Sequence, residues 1–184
     1  MPSRDDLHKY QERMINFIYT TPKCALWAGL GLGKTITTLS AIVDLIDSMT
    51  VSKVLIVAPL RVANSVWHKE AANWQHTKHL KFSIVTGSEK ERLAALHKTA
   101  DVYVINRENV TWIVEHYAKK WPFDMIVLDE ASSFKSSSSQ RFKALRKTIP
   151  FTNRLVELTG TPSPNGLLDI WSQMYLLDCG ERLG

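Results

Sequence analysis

An α/β domain with a mainly parallel central sheet and helices on both faces is the architecture this sequence predicts. Six short aliphatic runs recur along the chain, and amphipathic helical patterns separate them. Strands that are apolar on both faces belong to parallel sheets covered by helices, whereas a half-solvated sheet alternates apolar and polar residues. Size agrees with this. The chain has 184 residues, of which 45% are hydrophobic and 22% charged, enough for one domain with an ordinary core and too few for two full-sized domains. The same composition excludes a disordered, collagenous or coiled-coil chain.

Taken in order, a helical pattern precedes the first strand, Cys24 to Trp27. A helix near 34–48 leads to the second strand, Val54 to Ala58, and one near 62–74 leads to the third, Phe82 to Val85. Helices near 88–97 and 107–119 flank the fourth strand, Val102 to Ile105, and bring the chain to the fifth, Met125 to Leu128. A helix near 139–148 precedes the sixth strand, Leu155 to Leu158, and an amphipathic stretch from Leu167 to Leu177 follows it. These assignments rest on helical periodicity between β-length aliphatic runs. Open parallel sheets bind ligands beyond the carboxyl ends of their strands, so the residues just after each strand carry the functional reading.

The formal net charge is +5, a basic excess that permits a polyanionic partner without requiring one. Cys24 and Cys179 are the only cysteines; they can build neither a disulfide framework nor a four-cysteine zinc site, and both read as small buried hydrophobes. The first residues lack the apolar core of a signal peptide, and the longest apolar stretch has a strand's length. A soluble, cytoplasmic protein with no membrane partner is expected. Ser132, Ser133 and Ser136 to Ser139 read as a flexible loop capping the next helix.

After the first strand comes Ala28-Gly29-Leu30-Gly31-Leu32-Gly33-Lys34-Thr35, and then a helical run. This is the G-x-x-x-x-G-K-[ST] phosphate-loop pattern with Ala28 in the place of the first glycine. Gly29, Leu30, Gly31, Leu32 and Gly33, with Lys34 and Thr35, are the candidate nucleotide-binding residues. Gly31 and Gly33 let the backbone curl so that amide hydrogens face phosphate oxygens, and the helix dipole adds to that field. Lys34 is the candidate cation for the β and γ phosphates and acts in catalysis, while the Thr35 hydroxyl is a candidate magnesium ligand.

The fifth strand ends in Asp129-Glu130-Ala131-Ser132. A carboxylate at the tip of a hydrophobic strand beside a phosphate loop is where nucleoside triphosphatases hold magnesium, and Asp129 takes that role. Glu130 is the candidate catalytic base that orients or deprotonates the attacking water. The cofactors implied are a nucleoside triphosphate, which the resemblance described next makes ATP, and Mg2+.

With these two motifs in place, the remaining loops resemble those of superfamily 2 helicases and translocases, in the Swi/Snf-type, remodeller-like branch and its phage and bacterial relatives. Leu7-His8-Lys9-Tyr10-Gln11 resembles the entry segment whose glutamine reads adenine, which makes Gln11 the adenine-selective candidate. Ala28 to Thr35 matches the A-x-x-G-x-G-K-T form of motif I. Ala58-Pro59-Leu60-Arg61, continuing to Asn64, Trp67, Glu70 and Trp74, is similar to motif Ia. Asp129-Glu130-Ala131-Ser132 resembles motif II with Ser132 in place of the histidine, and Leu158-Thr159-Gly160-Thr161-Pro162-Ser163-Pro164-Asn165 resembles motif III. The resemblance covers nearly the whole chain and implies a single RecA-like P-loop domain over 1–184, carrying motifs Q, I, Ia, Ib, II and III.

What the resemblance implies for nucleic acid is a backbone-tracking surface. Arg61, Thr86, Gly87, Lys135 and Asn165 are the candidate contacts, since hydroxyls, amides and cations at loop tips meet phosphate without reading sequence. Thr159 and Thr161 are candidates for coupling between the nucleotide and that surface. DNA is the implied polymer, with duplex favoured over single strand and translocation over unwinding. Arg141, Lys143, Arg146 and Lys147 read as a solvated helix face. Trp27, Trp67, Trp74 and Trp171 read as packing residues, the middle two seven apart on one helix face; Trp112 and Trp121 stay open.

The chain ends at Gly184, soon after motif III, so the second RecA-like lobe with its arginine fingers is expected to come in cis or in trans. Hydrolysis by this lobe alone is expected to be weak, because an arginine finger is worth about 10³ to 10⁵ in rate. Two other readings of the same residues are a non-enzymatic regulator that binds DNA or a motor and uses ATP structurally, and a small-molecule kinase. Against the kinase stand Gln11 and the Thr159-Gly160-Thr161 segment, which phosphoryl transfer to a small acceptor does not need.

Overall fold

Each of the six aliphatic runs forms a strand in the computed structural model, which describes residues 1–27, 33–130 and 140–159, with Trp27 and Thr159 described by backbone alone. The strands are β1 (Lys23–Trp27), β2 (Val54–Ala58), β3 (Phe82–Val85), β4 (Val102–Asn106), β5 (Met125–Leu128) and β6 (Arg154–Thr159). They make one six-stranded sheet in the order β1-β6-β5-β2-β4-β3, and all pairings are parallel. β2, β4 and β5 are buried along their whole length, while β3, at the sheet edge, alternates. Central strands read as unbroken apolar runs because both of their faces are covered.

Successive residues of a strand face opposite sides, and each side has its own core. On one, Ile15 and Ile18 of α1 (Lys9–Thr20), Leu39, Ile42 and Leu45 of α2 (Lys34–Asp47) and Trp67 of α4 (Trp67–Ala72) cluster with Ile56, Val104, Val127 and Val156. On the other, Ile113 and Val114 of α6 (Val110–Tyr117) and Phe142 and Leu145 of α7 (Gln140–Arg146) cluster with Leu55, Ile105, Ile126, Leu128 and Leu155. Cys24 is buried in the first cluster, as expected. Arg4 ties α1 to α2: its guanidinium makes two bonds to Glu12 at 3.0 and 3.1 Å and two to Asp44 at the same distances. Those hydrogen bonds push its pKa above the ordinary arginine value.

Two helical expectations are refined. The pattern at 62–74 is two short helices, α3 (Leu60–Ser65) and α4, divided at Val66, and Trp74 lies beyond the second. The pattern at 107–119 is a 3-10 turn at Arg107–Asn109, then α6, which ends where Ala118 takes a positive φ of 48°. Trp121 is buried with Phe123 in the second core and Trp112 packs against its margin, so both are packing residues. On α7 and just after it, Lys143, Arg146 and Lys147 are exposed and Arg141 is half-buried, as expected for a solvated face. The amphipathic stretch 167–177, Trp171 and Cys179 lie outside the described residues. Among the described residues no helix is long and apolar enough to cross a membrane.

Candidate nucleotide site

The sheet order brings the carboxyl ends of β1 and β5 to either side of β6. α2 begins seven positions after the end of β1, with Gly33 at its N-cap in the left-handed region, φ 67° and ψ 40°. Glycine adopts that conformation without penalty. A Cβ at Gly33 would also lie 2.5 Å from Gln11 Nε2, so a side chain there would have to displace the glutamine amide. Gln11 is buried, and its Oε1 accepts the His8 backbone N–H at 2.8 Å, which caps α1. The glutamine and the last glycine of the loop, 22 positions apart in the chain, are thereby in contact.

Lys34 opens α2, and its Nζ lies 2.7 Å from Asp129 Oδ1. Asp129 follows β5 directly and is held in the sheet plane by donating its backbone N–H to the Val57 carbonyl at 2.8 Å. Its side chain is only 2% exposed. The other carboxylate oxygen, Oδ2, accepts the indole N–H of Trp67 at 2.9 Å. A buried carboxylate needs donors to replace water, and here each oxygen has one. Thr35 stands half-buried in the same first turn as Lys34. Glu130 is exposed and has a positive φ of 55°, whereas its neighbour Asp129 is buried.

The donor set fits a magnesium-bound nucleotide. A hydroxyl and a buried carboxylate beside a lysine, at the amide end of a 14-residue helix, can hold a hard cation through oxygen while meeting phosphate with positive charge. Among the described residues no three His, Cys, Asp or Glu side chains gather as a self-sufficient metal cage.

Of the expected nucleic-acid contacts, Arg61 is exposed on α3, and Thr86 Oγ1 donates to Asn64 Oδ1 at 2.7 Å. That bond ties the turn after β3 to the helix bearing Arg61. Gly87 has φ 89°, and a Cβ there would come within 2.8 Å of Glu91 Oε1. Glu91 closes the turn by capping α5 (Glu89–His97) from Ser88 N–H at 3.0 Å, and these bonds lower its pKa. β6 ends at Thr159, paired with Trp27 in register. Gly29, Leu30, Gly31, Leu32, Ser132, Lys135, Thr161 and Asn165 lie outside the described residues.

Two residues acquire importance that pattern reading did not give them. Trp67 packs in the core as expected, yet it also bonds the candidate magnesium carboxylate; a buried indole N–H usually finds an acceptor, whose identity is a matter of three dimensions. Glu157 sits inside β6, beside Ala25 and Leu128, 1% exposed. Among the described residues neither of its oxygens has a hydrogen-bond partner, and burial raises its pKa well above the ordinary carboxyl value. A charged residue interrupting an aliphatic run was the available signal.

Comparison with known proteins agrees with this geometry. The profile of the SNF2-related domain family matches residues 10–181. The chain is 42% identical over 182 residues to protein p41 of Acyrthosiphon pisum secondary endosymbiont phage 1, covering 95% of this chain and 40% of that protein. It is 30% identical over 193 residues to the DNA excision repair protein ERCC-6-like of Mus musculus, covering 98% of this chain and 15% of that one. In fold it is similar to the Sulfolobus solfataricus SWI2/SNF2 ATPase core solved in complex with dsDNA, with a TM-score of 0.73, 24% identity, and coverage of 92% of this chain and 35% of that chain. The expected RecA-like architecture is therefore found, and the chain spans less than half the length of each of these relatives.

Proposed function

The chain belongs to the SNF2-related domain family, and from that premise we propose that it is the nucleotide-binding motor lobe of a DNA-dependent ATPase of the translocase type. The observation that carries this reading is the 2.7 Å pairing of Lys34 with Asp129: a phosphate-loop lysine and a strand-end carboxylate, far apart in sequence, meet at the start of a helix. In this reading residues 1–184 act as one RecA-like domain, and a second lobe, in cis or in trans, completes the site.

Gln11 selects adenine beside Gly33. The amides of Gly29, Leu30, Gly31, Leu32 and Gly33 cradle the phosphates, and Lys34 turns from Asp129 toward them. Thr35 and Asp129 would hold magnesium, which would supply positive charge against the phosphate oxygens. Glu130, exposed beside the buried Asp129, accepts the proton of the attacking water. Thr159 and Thr161 link this site to the surface formed by Arg61, Thr86, Gly87, Lys135 and Asn165, which tracks DNA phosphates. That the similar archaeal core was captured with dsDNA supports duplex as the polymer. Such a lobe works in the cytoplasm of a bacterium or a phage-infected host.

The test is steady-state ATP hydrolysis with magnesium, with and without duplex DNA, alone and with a second lobe supplied. A DNA-stimulated rate that Glu130→Gln removes is the expected result. Nucleotide binding without turnover in every combination would instead establish a non-enzymatic regulator.

A further inference from the structure

Trp67 is fully buried, and its indole N–H reaches Asp129 Oδ2 at 2.9 Å across 62 residues of sequence. The half-buried Trp74 and Trp112 bond the half-buried Glu70 at 2.8 Å and the exposed Glu89 at 3.0 Å. Packing accounts for a buried indole ring but not for this acceptor, since a backbone carbonyl would satisfy the N–H without bringing an ionisable group inside.

The two oxygens of Asp129 have partners of opposite character. Oδ1 meets Lys34, whose ammonium rides on a flexible stem and is 27% exposed. Oδ2 meets an indole wedged at zero exposure against α2 and the sheet. The break at Val66, φ −103° and ψ −59°, lets a new helix begin at Trp67 and sets the direction of the ring. One oxygen is thus pinned and the other has a partner that can leave. Without the indole, the carboxylate would be free to rotate and offer both oxygens to Lys34.

We propose that Trp67 is a positioning residue for the cation site: its indole N–H holds Asp129 Oδ2 so that Oδ1 alone is presented to magnesium when Lys34 moves to phosphate. This rests on the reading of Asp129 as the magnesium carboxylate. Groups that orient a ligand from outside its coordination shell typically change metal affinity or activity by about 10- to 100-fold.

The test is binding of a fluorescent ATP analogue as magnesium is titrated, for the wild-type chain and Trp67→Phe. The variant should need about 10- to 100-fold more magnesium to reach half-maximal binding, with affinity in chelator unchanged. A role in packing alone would weaken binding at every magnesium concentration and leave the midpoint where it was, which would overturn the proposal. A wild-type chain whose nucleotide binding ignores magnesium would overturn the site reading as well. If Trp67→Phe does not fold, the wild-type indole N–H resonance decides. It should stay downfield on adding magnesium and nucleotide and move upfield in Asp129→Asn; release on nucleotide binding would overturn the proposal.

Discussion

Lys34 Nζ and Asp129 Oδ1 stand 2.7 Å apart, although 95 residues of sequence and the whole of β6 in the sheet lie between the elements that carry them. The lysine compensates a carboxylate that is 2% exposed, and the same cation is needed by phosphate. Lys34→Ala therefore removes two things at once. Loss of a charge-assisted contact to phosphate should weaken ATP binding by about 100-fold or more. Removing one partner of a buried pair should also destabilise the fold, by no more than about 3 kcal/mol because the lysine is partly solvated. The double variant Lys34→Ala with Asp129→Asn should regain stability without regaining affinity. Calorimetric binding with urea denaturation separates the two effects, and full affinity in Lys34→Ala would end the nucleotide reading.

Glu130 is exposed yet held at φ 55°, a region that costs a non-glycine residue about 1 to 2 kcal/mol. Among the described residues its side chain has no hydrogen-bond partner, and the proposed role in hydrolysis gives a reason for the strain. Glu130→Gly should relieve it and leave stability equal to the wild type or up to about 1 kcal/mol higher, the gain being offset by unfolded-state entropy. Hydrolysis should be lost in this variant while nucleotide binding persists. Thermal melts and single-turnover hydrolysis check both halves; a clearly less stable Glu130→Gly would show that the side chain supports the turn.

The central strands were legible because burial on both faces favours unbroken apolar runs, and the phosphate loop and acidic pair were legible because their chemistry needs fixed residue types at fixed spacing. The division of 60–72 into two helices was not, since neither glycine nor proline marks Val66. Strand order escaped for a different reason. Aliphatic runs record that a strand is central but not which neighbours it has, and so the placing of β6 between β1 and β5 came only with the structure. Trp67 was read as packing because sequence spacing relates it to Trp74, whereas its polar partner arrives from β5.

Glu157 makes stability depend on pH. Its carboxyl is buried without a partner among the described residues, and desolvation raises its folded pKa well above the ordinary 4.5. A raised acid contributes stability that is complete below the unfolded pKa and is lost as pH rises toward the folded one. From about pH 4.5 up to that folded value, the chain should lose stability with a limiting slope of roughly 1.4 kcal/mol per pH unit. Glu157→Gln should flatten this slope and leave the variant more stable than the wild type at neutral pH. Parallel denaturation curves for the two across that range would show that Glu157 gains a partner in solution.

Arg61 tests the proposed DNA surface. It is exposed at the start of α3, and the Thr86 to Asn64 bond of 2.7 Å fixes the neighbouring turn against the same helix, so its cation is offered at a rigid surface. A phosphate contact releases a counterion when it forms. Arg61→Ala should therefore lower duplex affinity alike for all sequences and reduce the slope of log K against log salt by about 1. Lys143→Ala, on the exposed face of α7, removes the same charge from the chain and should leave the slope unchanged. Fluorescence anisotropy across a salt series measures both variants. Equal slopes for Arg61→Ala and the wild type would take α3 out of the DNA surface, whereas equal losses in both variants would reduce the effect to net charge.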